Sequence, residues 1–263
     1  MRYELLGPIQ VIRRDDVHFI SARKVEILLA TLLAKRDQAV HRDQLIIEIW
    51  GDEPPRRASA ALHVYVSQLR KFLGPEHDVG RQSSGKDMGP IITRPLGYML
   101  RTLNDEIDVS DFEQLVSEGR AGSLRGDLEV AVDRLERALA LWRSTSLLDL
   151  RAGPILDSYA TWLEESRIEC LETLIAAYLN MNKHREVVGR LYVLAGEYPM
   201  RENFLRYLML ALFRSDRRAD ALSVYREGRE RLKNELGLEP CRSLQEMNYA
   251  ILTGEESLLD MAC

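Results

Sequence analysis

Hydrogen-bonding and basic side chains recur on one side of the segment from Ala58 to Leu73, whose apolar residues have the spacing of an amphipathic helix. Residues 54–73 contain four Lys or Arg residues and no Asp or Glu. A helix fits the major groove of DNA, where hydroxyl, imidazole and guanidinium groups can bond to base edges. The polar side chains are those of Ser59, His63, Ser67, Arg70 and Lys71.

Basic residues flank the same segment. Arg56 and Arg57 precede the helix and Lys71 lies near its end, so all three can neutralise backbone phosphates. Arg94, near the tip of a predicted hairpin, can reach the adjacent minor groove, which concentrates negative potential. The alternative is an ordinary surface helix whose Lys and Arg side chains extend from an apolar face into water. The neighbouring elements favour DNA binding.

The elements before and after this helix have the order of a winged helix-turn-helix. A helix with Ser21 as its N-cap and a second helix, ending at Gly51, precede it. Pro95-Leu96-Gly97 separates two strand-like runs into a hairpin. The other predicted elements are strands at Arg2–Leu6, Ile9–Ile12 and Val17–Ile20, and the second helix at Arg42–Trp50.

The chain from Asp108 onward predicts helices alone. Ala177, Val187, Val188 and Leu191 match Ala211, Ala221, Leu222 and Tyr225 at a spacing of 34 residues, the tetratricopeptide period. We therefore predict an α+β winged helix-turn-helix domain followed by an all-α tetratricopeptide-like domain. The predicted helices are 111–124, 127–142, 154–182, 184–198, 201–215, 217–236 and one that begins near Pro240.

Charge divides the chain at the same place. Residues 1–104 hold 16 basic and 12 acidic residues, for a net charge of +4, whereas residues 105–263 hold 20 and 29, for −9. A basic N-terminal part suggests that a nucleic-acid face lies at one end of the protein. Three widely spaced cysteines favour reduced thiols in the cytoplasm over a disulfide framework. We also find no signal peptide and no apolar run that could span a membrane.

Motifs for catalysis are weak. Gly80–Lys86 matches part of a phosphate-binding loop, but Asp87 stands where a magnesium-binding Ser or Thr is needed, and Gly89-Pro90 opposes a following helix. The histidines have no metal-ligand spacing. We therefore expect no enzyme and no cofactor. A nucleotide-dependent enzyme or switch that uses Gly80–Lys86 stays open as an alternative, which nucleotide titration with Lys86→Ala as control would test.

Several motifs in order resemble the Streptomyces antibiotic regulatory protein family over about residues 1–254. This family joins an OmpR-type winged helix to a bacterial transcriptional activation domain. The motifs include Leu5-Leu6-Gly7-Pro8, Trp50-Gly51, Val64-Tyr65-Val66-Ser67-Gln68-Leu69-Arg70, Thr93-Arg94-Pro95-Leu96-Gly97-Tyr98, Leu139-Ala140-Leu141-Trp142-Arg143 and Glu235-Leu236-Gly237-Leu238-Glu239-Pro240.

The resemblance implies an activator of an antibiotic (secondary-metabolite) biosynthesis cluster. Such activators bind direct repeats near the promoter −35 region and recruit RNA polymerase, touching its sigma factor. The polymerase-facing turn would be formed by Gly51, Asp52, Glu53, Pro54 and Arg56. Binding to repeats implies a homodimer on double-stranded promoter DNA, in a cytoplasmic, nucleoid-associated protein with no membrane partner.

The resemblance also assigns roles within the recognition helix. Tyr65, Arg70 and Lys71 would contact phosphates or the flank of the helix, and Arg94 would be the minor-groove residue of the wing. Three features depart from the family pattern: Ala60 offers no polar group, His41 replaces the common Ser or Thr cap, and loop 74–89 is longer than usual. The base-facing residues would be Ala60, His63, Val64, Ser67 and Gln68.

We accordingly predict a DNA-binding domain at residues 1–104 and an activation domain at residues 105–263. The main alternative is a helical protein-interaction adaptor without specific DNA binding. Binding of a small ligand by the helical domain also stays open, although the sequence shows no convergent polar pocket that would identify such a ligand.

Overall fold

The computed structural model describes residues 1–74, 89–102, 105–144, 150 and 153–254. Within these residues, no helix is both long enough and apolar enough to cross a membrane. The predicted loop motif Gly80–Lys86, all of loop 74–89 except its two end residues, and Cys263 lie outside the described residues.

The chain divides into two compact units, and neither is one continuous stretch. Unit 1 comprises Met1–Gln114 and Ala138–Arg167, and unit 2 comprises Leu115–Arg137 and Ile168–Cys263. The first unit therefore includes residues from both sides of the boundary at 104 that the charge pattern predicts. That boundary, which divides DNA binding from protein contacts, stays a prediction.

The described residues of unit 1 form two small sheets. One has the strand order β3-β2-β1-β7, in which β1 is antiparallel to β2 and parallel to β7. The other has the order β4-β6-β5 and consists of antiparallel pairs. The strands are β1 Arg2–Glu4, β2 Gln10–Arg13, β3 Asp16–Phe19, β4 Val40–His41, β5 Ile91–Arg94, β6 Gly97–Leu100 and β7 Glu106–Ile107.

Three helices lie between these strands: α1 Arg23–Ala34, α2 Arg42–Trp50 and α3 Ala58–Leu73. The apolar stripes of all three are buried, because each helix has one hydrophobic face that must leave water. The sequence prediction of α2 and α3 is confirmed to the residue. The buried leucines of this core include Leu28, Leu32, Leu45, Leu62 and Leu69.

The caps of the first two helices differ from the sequence prediction. Ser21 does not cap α1; Ala22 is its N-cap, and no side chain bonds to the helix end. His41 does cap α2, because its Nδ1 accepts the backbone N–H of Asp43 at 3.3 Å. The side chain of Gln44 in turn accepts the backbone N–H of His41, which completes a capping box. A histidine thus serves where the family pattern commonly has Ser or Thr.

The remaining elements are helical from Asp108 onward, as predicted. Helices α4, α5 and α6 each contribute residues to both units, and α7 to α10 belong to unit 2. The helices are α4 Asp108–Leu124, α5 Leu128–Ala140, α6 Pro154–Asn180, α7 His184–Glu197, α8 Glu202–Arg214, α9 Arg218–Leu236 and α10 Arg242–Thr253.

Small residues let the helices of unit 2 pack closely. Ala177 and Ala211, one repeat period apart, are both fully buried. A Cβ added at Gly228 would lie 2.7 Å from Leu205 Cδ1, so the glycine lets α9 approach the Leu205 side chain of α8 closely. Stacked helix pairs of this kind are the tetratricopeptide-like arrangement that the 34-residue spacing predicts.

Candidate nucleic-acid interface

Helix α3 has one buried side and one polar side. Leu62, Val66, Leu69 and Leu73 lie in the core, and Gly74, at φ 73°, ends the helix. The opposite side is exposed, so its groups are available to a ligand. We name this exposed surface the α3 face; it consists of Ser59, Ala60, His63, Val64, Ser67, Gln68 and Lys71. All five residues that the resemblance assigns to bases belong to it.

The electrostatics of α3 suit a polyanion. The helix contains no acidic residue, and Arg56 and Arg57 are exposed at its N-terminus. Unpaired backbone N–H groups at a helix N-terminus add partial positive charge to that of the two guanidinium groups. These features place positive charge at the start of α3 and, through Lys71, near its end.

A short hairpin stands beside α3. Its strands β5 and β6 pair from Ile91 with Leu100 to Arg94 with Gly97, and β4 pairs with the outer side of β6. A Cβ at Gly97 would overlap the carbonyl oxygen of Val40, so this close pairing requires glycine. Arg94 is exposed at the end of β5, and the turn residue Leu96 is also exposed. The hairpin thus leaves Arg94 accessible to a ligand, and its role in the minor groove stays a prediction.

Arg70 connects helix α3 to the hairpin. Its Nε and Nη2 donate to the carbonyl oxygen of Ile91 at 3.2 and 2.9 Å, and Nη2 donates to Thr93 Oγ1 at 2.8 Å. The side chain is half-buried, in contrast to the exposed Lys71. Arg70 therefore positions α3 against the hairpin, which agrees with the flank role, one of the two proposed for it.

A second link between helix and hairpin involves His63. The Nδ1 atom of His63 lies 2.6 Å from the hydroxyl oxygen of Tyr98, and the two rings meet edge to face. His63 is exposed on the α3 face, whereas Tyr98 is only 2% exposed. Tyr98 of strand β6 therefore fixes the orientation of the His63 ring through this hydrogen bond.

Two family models match the chain. Residues 20–83 match the model described as "Transcriptional regulatory protein, C terminal", and residues 107–252 match "Bacterial transcriptional activator domain". The regulatory protein DnrI of Streptomyces peucetius is 33% identical over 258 residues, which are 98% of this chain and 94% of DnrI. The transcriptional regulator RedD of Streptomyces coelicolor is 34% identical and is covered over 71% of its length.

The chain belongs to the Streptomyces antibiotic regulatory protein family. The regulatory protein AfsR of Streptomyces coelicolor is also 34% identical, over the whole of this chain, but the chain spans only 25% of AfsR. AfsR, DnrI and RedD have the names of regulatory proteins, not of enzymes.

A solved structure of a relative supports the fold. EmbR of Mycobacterium tuberculosis, in complex with a low affinity phosphopeptide, matches 99% of this chain and 68% of its own with a TM-score of 0.86 and 30% identity. The predicted fold class, a winged helix-turn-helix followed by a helical domain, is confirmed.

An aromatic stack next to the α3 face could not be predicted from the sequence. The ring of Tyr65 stacks on Trp50 at the end of α2, with ring centres 5.7 Å apart, and Lys24 Nζ lies 5.1 Å from the centre of the Trp50 ring. Such a cation–π contact holds an exposed lysine in place. The three residues come from three helices, so no local spacing reveals the stack.

The turn between α2 and α3, predicted to face polymerase, is accessible. Asp52, Glu53, Pro54 and Arg56 are exposed, and Gly51 is half-buried as the C-cap of α2. The carbonyl oxygen of Ile47 accepts the Gly51 N–H at 2.8 Å, which fixes where the helix stops and the turn begins. The turn therefore starts from a defined helix end and carries charges of both signs.

Two buried carboxylates of unit 1 lie outside the α3 face. Glu48 accepts the backbone N–H groups of Ile155 and Leu156, in the first turn of α6, at 2.6 and 3.2 Å. Asp108 accepts the N–H groups of Leu5 and Leu6 at 2.8 to 2.9 Å. Burial raises the pKa of both carboxyl groups, while the bonds from the backbone N–H groups act in the opposite direction.

Proposed function

We propose that the chain is a DNA-binding activator that switches on an antibiotic biosynthesis cluster by recruiting RNA polymerase. The observation that carries this proposal is the α3 face: an exposed, acid-free helix surface with basic residues at its ends. DNA reading is assigned to residues 1–104, and dimerisation and protein contacts to residues 105–263. The family names of both matched segments support this division of roles.

On DNA, the α3 face would lie in the major groove. Ser67 and Gln68 would bond to base edges, Arg56, Arg57 and Lys71 would contact phosphates, and Arg94 would enter the minor groove. Two protomers on direct repeats would lie head to tail about 10–11 bp apart, one turn of the duplex. The names of relatives such as the transcriptional regulator RedD support a regulatory role.

Recruitment would use the turn that carries Gly51, Asp52, Glu53, Pro54 and Arg56. Contacts between this turn and the sigma factor of polymerase would raise promoter occupancy without covalent chemistry. The protein would act in the cytoplasm, in association with the nucleoid.

DNA binding is tested by fluorescence anisotropy with a labelled promoter duplex from the gene neighbourhood of the protein and a scrambled duplex, over a series of salt concentrations. Gln68→Ala is expected to weaken promoter binding about tenfold, since a base contact is lost. Lys71→Ala should weaken binding to both duplexes. It should also make the slope of log affinity against log salt concentration shallower by about one, because the loss of one phosphate contact releases one counterion fewer.

Lys233→Ala is the matched control, because Lys233 is also an exposed lysine in the last turn of a helix, but belongs to α9 in unit 2. Its affinity and salt slope should equal those of the wild type. Weak, equal binding to both duplexes by every protein, with no effect of Lys71→Ala, would contradict the proposal and favour the adaptor.

Polymerase recruitment is tested separately with the double variant Asp52→Ala/Glu53→Ala in transcription from the same promoter in vitro. These side chains are exposed, and we expect DNA affinity to stay unchanged while transcription falls at least severalfold. Equal activation by wild type and variant would exclude these two carboxylates from the polymerase contact.

A further inference from the structure

The hydrogen bond between His63 and Tyr98 restricts the tautomer of His63, an exposed residue on the α3 face. The distance from Nδ1 to the hydroxyl oxygen is 2.6 Å, which is short enough for a direct bond. The two rings are 82° apart and their centres are separated by 6.1 Å, so the hydroxyl reaches the edge of the imidazole. The other ring nitrogen, Nε2, is left for a ligand of the exposed residue.

Two arrangements of the protons are possible in this bond. Either the phenol donates to an unprotonated Nδ1, or a protonated Nδ1 donates to the phenol oxygen. In the second arrangement the phenol proton needs another acceptor. Among the described residues, the one hydrogen-bond partner of the Tyr98 hydroxyl is His63, and Tyr98 is 2% exposed.

A buried donor without an acceptor destabilises the protein, so the first arrangement is favoured. The phenol of Tyr98 then donates to Nδ1, and the proton of the neutral imidazole is on Nε2. His63 consequently presents an N–H donor at the α3 face.

We propose that His63 reads a hydrogen-bond acceptor on a base edge in the major groove, with guanine preferred and cytosine rejected. This inference rests on the proposed function. Guanine offers two adjacent acceptors, N7 and O6, whereas the major-groove edge of cytosine offers only the N4 amino donor. Tyr98 is a positioning residue in this scheme: it fixes the tautomer of His63 and does not touch DNA.

The inference is tested by selection from a pool of random DNA duplexes with the full chain. The wild type should enrich a motif with one guanine position that depends on His63. His63→Ala should reduce the preference at that position about fivefold, the effect of one hydrogen bond of about 1 kcal/mol, and leave the other positions unchanged. Tyr98→Phe, which keeps the packed ring, should reduce the preference at the same position to a smaller extent.

Tyr178→Phe is the control, since it also removes a hydroxyl that bonds to a neighbour, Glu136, but in unit 2. It should leave the motif unchanged. Replacement of the selected guanine by 7-deazaguanine should weaken wild-type binding and leave the affinity of His63→Ala unaffected.

Nitrogen-15 NMR of the His63 ring in the free protein gives a readout that is independent of DNA. We expect the Nε2-protonated tautomer in the wild type and a mixture of tautomers in Tyr98→Phe. A protonated Nδ1 in the wild type would overturn the inference.

The outcomes separate the two proposals. A motif that His63→Ala leaves unchanged would overturn the role of His63 while DNA reading stands. Failure to enrich any motif would overturn the proposed function and, with it, the role of His63.

Discussion

The α3 face and the two buried carboxylates, Glu48 and Asp108, use polar side chains in opposite ways. Asp108 is 2% exposed and bonds to backbone N–H groups of its own unit, so its removal leaves buried donors unpaired. Ser67 and Gln68 are exposed and can be replaced with little effect on folding. The two buried carboxylates are therefore separate from the residues that we propose to read DNA.

The largest expected effect comes from Asp108→Ala. Without the carboxylate, the N–H groups of Leu5 and Leu6 lose their acceptor, and we expect the free energy of unfolding to fall by about 3–5 kcal/mol. Urea denaturation measures this change. Asp52→Ala removes an exposed carboxylate and should change the stability by less than about 0.5 kcal/mol. Equal effects of the two variants would remove the contrast between buried and exposed groups.

Arg70→Ala should give an intermediate result, because Arg70 lies between the two classes. Its bonds to the Ile91 carbonyl and to Thr93 Oγ1 hold α3 against the hairpin. We expect a loss of about 2 kcal/mol in the free energy of unfolding together with weaker DNA binding. Denaturation and anisotropy on the same preparation test both. A loss of affinity with unchanged stability would show that Arg70 belongs with the α3 face instead.

The pH dependence of Glu48 gives the smallest and most specific effect. Burial raises its pKa in the folded state, so the folded protein binds this proton more tightly than the unfolded chain does. The contribution of Glu48 protonation to the free energy of unfolding is therefore largest below the pKa of the unfolded chain, about 4.3. It declines as the pH rises through the higher pKa of the folded state.

The stability difference between wild type and Glu48→Gln should accordingly fall as the pH increases across that window. Denaturation curves at several pH values measure the difference, and Asp108 is present in both proteins, so its own titration cancels. A stability difference that grows with pH would mean that the hydrogen bonds from the N–H groups of Ile155 and Leu156 lower the pKa of Glu48 more than burial raises it.

Local signals determined much of unit 1. The bounds of α2 and α3 follow from sequence because Gly51 and Gly74 end them and neither helix contains Gly or Pro. Helical periodicity alone also placed Ser59, His63, Ser67 and Lys71 on the exposed side of α3. Ala60, Val64 and Gln68, which complete the α3 face, came from the family resemblance. Their roles on DNA stay predictions.

Elements that depend on partners far away in the sequence could not be predicted from local signals. Strands β4 and β7 have two residues each, too few for a periodic pattern, and exist because β6 and β1 supply their hydrogen bonds. Ser21 has the chemistry of an N-cap, yet α1 begins two residues later.

The amino-acid sequence by itself determined the family, the order of the helices and of the longer strands, and which side of α3 is exposed, because these depend on residues close together in the chain. Tertiary structure alone decided that Glu48 meets the start of α6, that Asp108 meets the turn after β1, and that Tyr98 holds His63. The partners in these contacts are 35 to 107 residues apart. Only folding brings such groups within hydrogen-bond distance.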